Sequence, residues 1–402
     1  MRKIALIHDW FDRIAGSEKV VKEILKCYSD AKVHSIVDHL TDDQRKALGI
    51  NSIETSFVQK LPFSKKKFRN YLALMPLAIE QFDLSEFDIV LSSSHAVAKG
   101  VITSHEQLHI SYVHTPIRYA WELQHEYLKQ KGLERGLKAM IVKTMLHKVR
   151  GWDQSTAGRP DVYIANSKFI AGRIRKTYDR PAHVIYPPVD VNDFKLCHKK
   201  DNFYLAAGRL VPYKRFDLVV EAFSKIPDAK LVVIGDGPEM DKLKSIAGTN
   251  VQLLGYQTDE VLRDHMQRAK GFVFAALEDF GIMPVEAQAC GTPVIAFKRG
   301  GTAETVIHGE TGLHFEEQTA DCLTEKILEM EELPKGFFDP DAIRTHAEKF
   351  NRRRFRNEYS QLVEKCWANF KADTATCEHQ PANPATAAET ADVSTIHKVS
   401  NH

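Results

Sequence analysis

No segment of this 402-residue chain reaches the length and apolarity of a membrane span, which takes about 18 or more uninterrupted apolar residues. The opening Met1-Arg2-Lys3-Ile4-Ala5-Leu6-Ile7-His8-Asp9 has an uninterrupted apolar run of only four residues before His8. That run is shorter than the core of a secretory leader. Cysteine is scarce, with six residues at 27, 197, 290, 322, 366 and 377. They form no CxxC pair and no histidine stands at zinc-site spacing, which excludes a disulfide scaffold and the common zinc modules. The expectation is a cytosolic protein with reduced thiols, or one seated on the cytosolic face of a membrane. Excess charge is missing too: 55 Lys and Arg stand against 53 Asp and Glu, a net charge of +2. With no recognised nucleic-acid motif, that balance argues against a nucleic-acid partner. The chain also lacks GxGxxG, which makes a dinucleotide dehydrogenase a poor fit, and it lacks a DxD-like metal clamp in a plausible loop.

What is present is the composition of a soluble globular protein, 43% hydrophobic and 27% charged. The length implies two domains of roughly 150–200 residues. Short apolar runs alternate with helical stretches throughout, the pattern of parallel β-α units. Strands are expected near Lys3–Ile7, Asp88–Leu91, Ile110–Val113, Val162–Ala165 and Val184–Tyr186. A second set is expected near Phe203–Ala206, Leu231–Ile234, Val251–Leu254, Phe272–Ala275 and Val294–Phe297. Tyr186-Pro187-Pro188-Val189-Asp190 reads as the boundary, giving domains 1–186 and 187–370. Residues 342–370 read as a long Arg-rich helical stretch that packs back on the first domain. Residues 371–402 are expected to be disordered, since their composition cannot bury enough to offset ordering entropy.

Candidate chemistry gathers at strand ends. Glu278 and Glu286 flank Asp279-Phe280-Gly281-Ile282-Met283-Pro284-Val285, with a buried strand before and a helix after. That puts both carboxylates in the crevice where doubly wound sheets bind ligands. Ala207-Gly208-Arg209-Leu210-Val211-Pro212-Tyr213-Lys214-Arg215 is a strand-glycine-helix turn with free amides. Arg209 and Lys214 add two cations suited to a diphosphate. Gly300-Gly301 allows close backbone approach to a ligand, although such a pair is also an ordinary turn. Ile14-Ala15-Gly16-Ser17-Glu18 opens a helix after the first strand, and its amides suit a phosphate. His114 sits in Ser111-Tyr112-Val113-His114-Thr115-Pro116-Ile117-Arg118-Tyr119-Ala120-Trp121, a cluster with the composition of a sugar site. A structural histidine is the competing reading.

Taken together, Glu278-x7-Glu286 with its inner Phe-Gly-Ile-x-Pro, Gly208-Arg209 with Lys214, and Gly16-Ser17-Glu18 resemble a retaining glycosyltransferase of the GT-B fold, family 4. The resemblance covers about residues 1–370. His114-Thr115-Pro116-x-Arg118-Tyr119-x-Trp121 and Glu278–Cys290 are most similar to the branch of bacterial O-antigen and exopolysaccharide mannosyltransferases. One departure is Ala15-Gly16, where many relatives have Gly-Gly. The resemblance implies two Rossmann-like parallel-sheet domains facing a cleft, and a nucleotide-sugar donor, GDP-mannose in that branch. It gives Glu286 the ribose hydroxyls, and gives Glu278 with the amides of Phe280, Gly281 and Ile282 the donor sugar. His114 would face that sugar from the other domain. Arg209 and Lys214 would stand in for a metal on the diphosphate, so no metal cofactor is expected. Asp259 is a candidate for guanine, with a plain helix cap as its alternative. A UDP-sugar donor, or a catalytically silent nucleotide-sugar sensor, are the competing functions.

The acceptor end has its own signal. Lys65-Lys66-Lys67-Phe68-Arg69 is basic, and residues 129–150 carry seven Lys or Arg against one acid. Leu133, Leu137, Met140, Ile141, Met145 and Leu146 interleave with those cations. This amphipathic basic pattern suits an anionic membrane surface and a lipid-linked glycan acceptor. A solvated helix with one packed stripe is the alternative.

Overall fold

The structure is a computed structural model that describes residues 2–378. Seven strands build the first sheet: β1 (Ile4–His8), β2 (Lys32–Ser35), β3 (Ile53–Thr55), β4 (Ile89–Ser94), β5 (Leu108–Val113), β6 (Val162–Ala165) and β7 (His183–Val184). Six build the second: β8 (Asp201–Ala207), β9 (Leu231–Ile234), β10 (Val251–Gly255), β11 (Ala269–Phe274), β12 (Val294–Phe297) and β13 (Gly312–Phe315). The spatial orders are β3-β2-β1-β4-β5-β6-β7 and β10-β9-β8-β11-β12-β13, and every pairing is parallel. This is the GT-B arrangement of two Rossmann-like sheets.

Alternation along the strands feeds a separate apolar layer on each face. Ala5, Ile7 and Val90 join Phe68, Met75 and Ile79 on one side of the first sheet. Leu6, Leu91 and Tyr112 meet Val20, Ile24, Phe355 and Tyr359 on the other. In the second sheet Leu205 and Ala207 face Val285 and Phe350, whereas Tyr204 and Ala206 face Val219 and Phe223. Burial of both faces explains why these strands read as continuous apolar runs.

Strand order reverses beside β1 and β4 in the first sheet and beside β8 and β11 in the second. A crevice opens at the carboxyl ends of such strands, and ligands bind there. His8-Asp9 and Ser94-His95 occupy the first crevice; Gly208 and the segment after Phe274 occupy the second.

Three strands escape the sequence reading. β2 and β3 are short and polar, and β13 (Gly312-Leu313-His314-Phe315) begins with glycine. The Arg-rich stretch is two helices, Pro340–Glu348 and Arg352–Glu378, separated by a break at 349–351. The second runs past residue 370, where disorder is expected to begin; residues 379–402 lie outside the described residues. Phe355 packs 5.9 Å from Tyr112, ring centroid to centroid, and Arg2 donates to Glu364 at 2.7 Å. The terminal helix therefore closes over the first sheet. Beside it, Val189 N donates to Phe350 O at 2.9 Å and Arg354 donates to the Tyr186 carbonyl at 2.8 Å. The two crossings between domains thus lie against each other at the proline-rich boundary.

Candidate active site

The donor half is built from close backbone approaches. Gly208 and Gly235 both adopt positive φ, and a Cβ on Gly235 would lie 1.8 Å from the Gly208 carbonyl oxygen. Only glycine fits there. The packing fixes the turn that carries Lys214, whose Nζ lies 2.9 Å from Glu278 Oε1. Burial pulls the Lys214 ammonium down, but Glu278 outweighs it and the net shift is upward, so the cation is firmly held. Arg209 on the same turn is exposed, and its guanidinium makes no ion pair among the described residues.

The Gly300-Gly301 pair serves the protein itself. A Cβ on Gly301 would lie 2.1 Å from Phe280 Cα, and Gly301 N donates to Glu278 O at 2.8 Å. The close approach seen here is to the Glu278–Phe280 turn. The Phe280 side chain is buried between Tyr186 and Phe350, which leaves only its backbone for a donor. Gly281, at φ 83°, caps the helix Ile282–Ala289. The helix thus starts at Ile282, and its first amides have no carbonyl within the helix to meet. Glu286 sits on this helix, buried, 3.6 Å from Lys19 Nζ of the first domain. Burial raises its pKa; Lys19 opposes that, and Asp190 and Asp259 add to it. Asp259 itself is exposed at the first position of the helix Asp259–Arg268, and Thr258 caps that helix by accepting from Val261 N.

Gly16 begins the helix Gly16–Cys27, and a Cβ there would stand 3.2 Å from Ile282 Cδ1. The glycine loop of one domain thereby meets the carboxylate helix of the other. Glu18 closes that helix start by accepting from Ala15 N at 2.9 Å, and also meets His8 Nε2 at 3.4 Å. Burial alone would raise the Glu18 pKa, but His8 outweighs it and the carboxyl falls to about 2. Asp9, fully buried, accepts from the amides of His95, Ala96, Val97 and Ala98 at 2.5–2.9 Å. Against the cost of burial, His95 and these amides hold its pKa far below the usual carboxylate range. His95 pairs with it at 3.0 Å, and for that ring the carboxylate overcomes burial and the net shift is upward. His114 accompanies this group at the end of β5. Its Nε2 lies 2.9 Å from Ser93 Oγ, and burial with the neighbouring His95 and His8 lowers its pKa to about 3.

A clasp absent from the sequence reading holds the halves together. Asp279 is bound by Arg118 and by Arg173, the latter at 2.9 Å, and its carbonyl accepts from Ser167 Oγ at 2.6 Å. Glu304 accepts from the amides of Lys168 and Phe169 at 2.9 and 2.8 Å and from Tyr186 Oη at 3.0 Å. It thereby caps the helix Lys168–Tyr178 of the opposite domain. Asp279 lies inside the two-carboxylate motif, so its position is visible in the sequence. Its partners are more than a hundred residues away and leave no local signal.

Two parallel-sheet domains with glycine turns thus set a half-buried cation–carboxylate pair and a second, buried carboxylate beside a shared cleft. Residues 14–193 match the family model Glycosyltransferase Family 4, and residues 190–350 match Glycosyl transferases group 1. The two matches together span residues 14–350, so the chain is similar to family 4 and group 1 glycosyltransferases across both sheets. It is 34% identical over 209 residues to an uncharacterised glycosyltransferase of Methanocaldococcus jannaschii, covering 50% of this chain and 58% of the relative. It is 31% identical over 232 residues to a GDP-mannose-dependent alpha-(1-6)-phosphatidylinositol monomannoside mannosyltransferase of Mycolicibacterium smegmatis, covering 47% and 60%. The chain thus spans less than two thirds of the length of either relative. Among solved structures it shares its fold with HepE of Anabaena in complex with UDP-glucose, at TM-score 0.65 and 20% identity, covering 91% of this chain and 100% of that one.

Proposed function

We propose that the protein is a retaining hexosyltransferase that moves mannose from GDP-mannose to a lipid-linked glycan in cell-surface polysaccharide synthesis. The observation that carries the transfer reading is the Lys214–Glu278 pair, 2.9 Å apart at the reversal point of the second sheet. Breaking a sugar–diphosphate bond leaves negative charge on the leaving group and positive charge on the sugar. Preorganised cations and amides act on the first, and they are the main lever on the barrier. Lys214 and the exposed Arg209 take the diphosphate. Glu278, released from Lys214 as the phosphate arrives, holds the sugar hydroxyls and favours the cationic transition state. Glu286 receives the ribose, displacing Lys19. His114 meets the sugar from the first domain. The leaving phosphate takes the acceptor proton on the same face, which retains the anomeric configuration.

GDP-mannose rests on the named activity of the mycobacterial relative and on the motif branch. A UDP-sugar is the second reading, favoured by the UDP-glucose held in the Anabaena neighbour. The lipid-linked acceptor is supported by the first domain's surface. Leu137, Met140 and Ile141 are 69%, 60% and 61% exposed on the helix Leu137–Ser155, and Leu77 and Phe63 are exposed nearby. Ala73, Pro76, Met140, Ile141, Met145 and Trp152 line a groove of about 520 Å³ there. Lys148 also lines it, and Lys65, Lys66, Lys67, Lys138 and Lys143 are exposed on the same domain, a surface suited to anionic lipid. No described helix is long and apolar enough to cross a membrane.

Melting scans against GDP, GDP-mannose, UDP, UDP-glucose and ADP test the donor. A ligand at about 100 times its Kd adds about 2.7 kcal/mol. Selective stabilisation by the guanine pair supports mannose; a uridine preference overturns it and keeps the mechanism.

A further inference from the structure

The histidines at the carboxyl ends of β1 and β5 meet through one serine, and that contact determines which nitrogen His114 offers. His8 Nδ1 lies 3.1 Å from the carbonyl oxygen of Ser93 and 3.2 Å from its hydroxyl. A carbonyl only accepts, so His8 Nδ1 carries hydrogen. The hydroxyl of Ser93 has two neighbours among the described residues, His8 Nδ1 and His114 Nε2 at 2.9 Å. The first already donates. The hydroxyl hydrogen therefore has one acceptor left, His114 Nε2. A neutral imidazole that accepts at one nitrogen carries its hydrogen on the other. Ser93 is fully buried, so water does not compete for it. Backbone bonds hold His114 on both sides: its N–H donates to Ser94 O at 2.8 Å, and its carbonyl accepts from Asn166 Nδ2 at 3.0 Å. Its Nδ1 has no partner among the described residues, and the residue is partly exposed at the strand end.

We propose that Ser93 is a positioning residue that locks His114 in its Nδ1–H tautomer, so that His114 presents a hydrogen-bond donor, and not a base, to an oxygen of the ligand. The tautomer follows from the geometry alone; the ligand's identity as a sugar-nucleotide donor rests on the proposed function. His114 is held neutral by burial and the neighbouring histidines, which agrees with a role that needs no proton uptake.

Nitrogen-15 NMR of the histidine rings in the full, ligand-free chain tests the lock. The expected spectrum has His114 protonated at Nδ1 and bare at Nε2, and Ser93→Ala lets the Nε2–H form appear. An Nε2–H signal in the parent, or an unchanged tautomer in Ser93→Ala with its melting temperature preserved, overturns the proposal. A second pair of variants keeps it testable if Ser93→Ala unfolds. His114→Asn can place an amide N–H where Nδ1 stood, whereas His114→Gln reaches toward Ser93 and leaves the ligand side empty. Donor binding by the Asn variant should exceed that by the Gln variant about tenfold, the worth of one charge-free hydrogen bond kept or lost. Equal binding by the two overturns the donor role. Failure of every nucleotide sugar to bind the parent, with the tautomer as expected, removes the sugar-nucleotide reading and leaves the Ser93 lock standing.

Discussion

Replacing Lys214 with alanine has two separable consequences. The first concerns stability. Lys214 and Glu278 are 14% and 20% exposed in their side chains, between a wet surface pair and a sealed one. Exposed pairs are worth about 0.2–1 kcal/mol, and breaking a buried pair costs about 3–5 kcal/mol. A loss of about 1–2 kcal/mol is expected, enough to lower the melting temperature by a few degrees. The second concerns turnover. One preorganised donor to a developing oxyanion is worth about 2.7–4 kcal/mol, or about 10²–10³ in kcat. Glu278→Gln in the same chain separates the two, because it removes the unpaired carboxylate. The double variant should regain most of the stability and none of the lost turnover. Nucleoside diphosphate release at saturating donor and acceptor, read beside a melting scan, measures both. Turnover of Lys214→Ala within about threefold of the parent refutes the placement of Lys214 on the diphosphate. Recovery of rate along with stability in the double variant would refute it as well.

Three further outcomes are expected. Asp9 and Glu18 have folded pKa values below their unfolded ones, so their contribution is complete above about pH 5 and is lost as pH falls through about 2 and below. Asp9→Asn should cost about 2–4 kcal/mol at pH 7, with its four amides left facing a neutral group, and should flatten the acid limb of urea titrations; equal pH slopes would contradict the burial argument. Gly301→Ala forces Phe280 and the Glu278 turn to move, so donor affinity should fall at least tenfold in calorimetry, and an unchanged affinity would show that the turn does not shape the site. Charge reversal of Lys65, Lys66 and Lys67 should weaken binding to anionic vesicles at low salt by more than tenfold, at about 1 kcal/mol per cation; equal binding would assign these residues to ordinary solvent-facing surface.

The donor half was the more legible one. Glu278, Glu286 and Lys214 lie within one or two turns of a strand end, where apolar runs and glycine positions mark the geometry. Strand ends recur through the chain, so ten of the thirteen strands could be placed from their apolar runs. β2, β3 and β13 could not, because Lys32, His34, Glu54 and His314 break the apolar pattern. Gly300-Gly301 marks a close backbone approach, and the segment it approaches is the Glu278–Phe280 turn; glycine reports such an approach without naming what approaches. Asp259 is exposed at the first helical position, with Thr258 as the cap. The clasp of Asp279 with Arg118 and Arg173, and the chain from Glu18 through His8 and Ser93 to His114, depend on residues brought together by the sheet order. Strand register supplies those contacts, and no spacing in the sequence encodes them.

Transfer itself is the most direct test of the account. The full chain would be incubated with labelled GDP-mannose and a membrane lipid extract, and hexose in the lipid fraction measured against nucleotide released. The account predicts one nucleotide released for each mannose gained, an α-linked product, and loss of both signals in Lys214→Ala. A donor that binds tightly yet stays intact with every lipid fraction, in the parent protein, would contradict it and leave a nucleotide-sugar sensor.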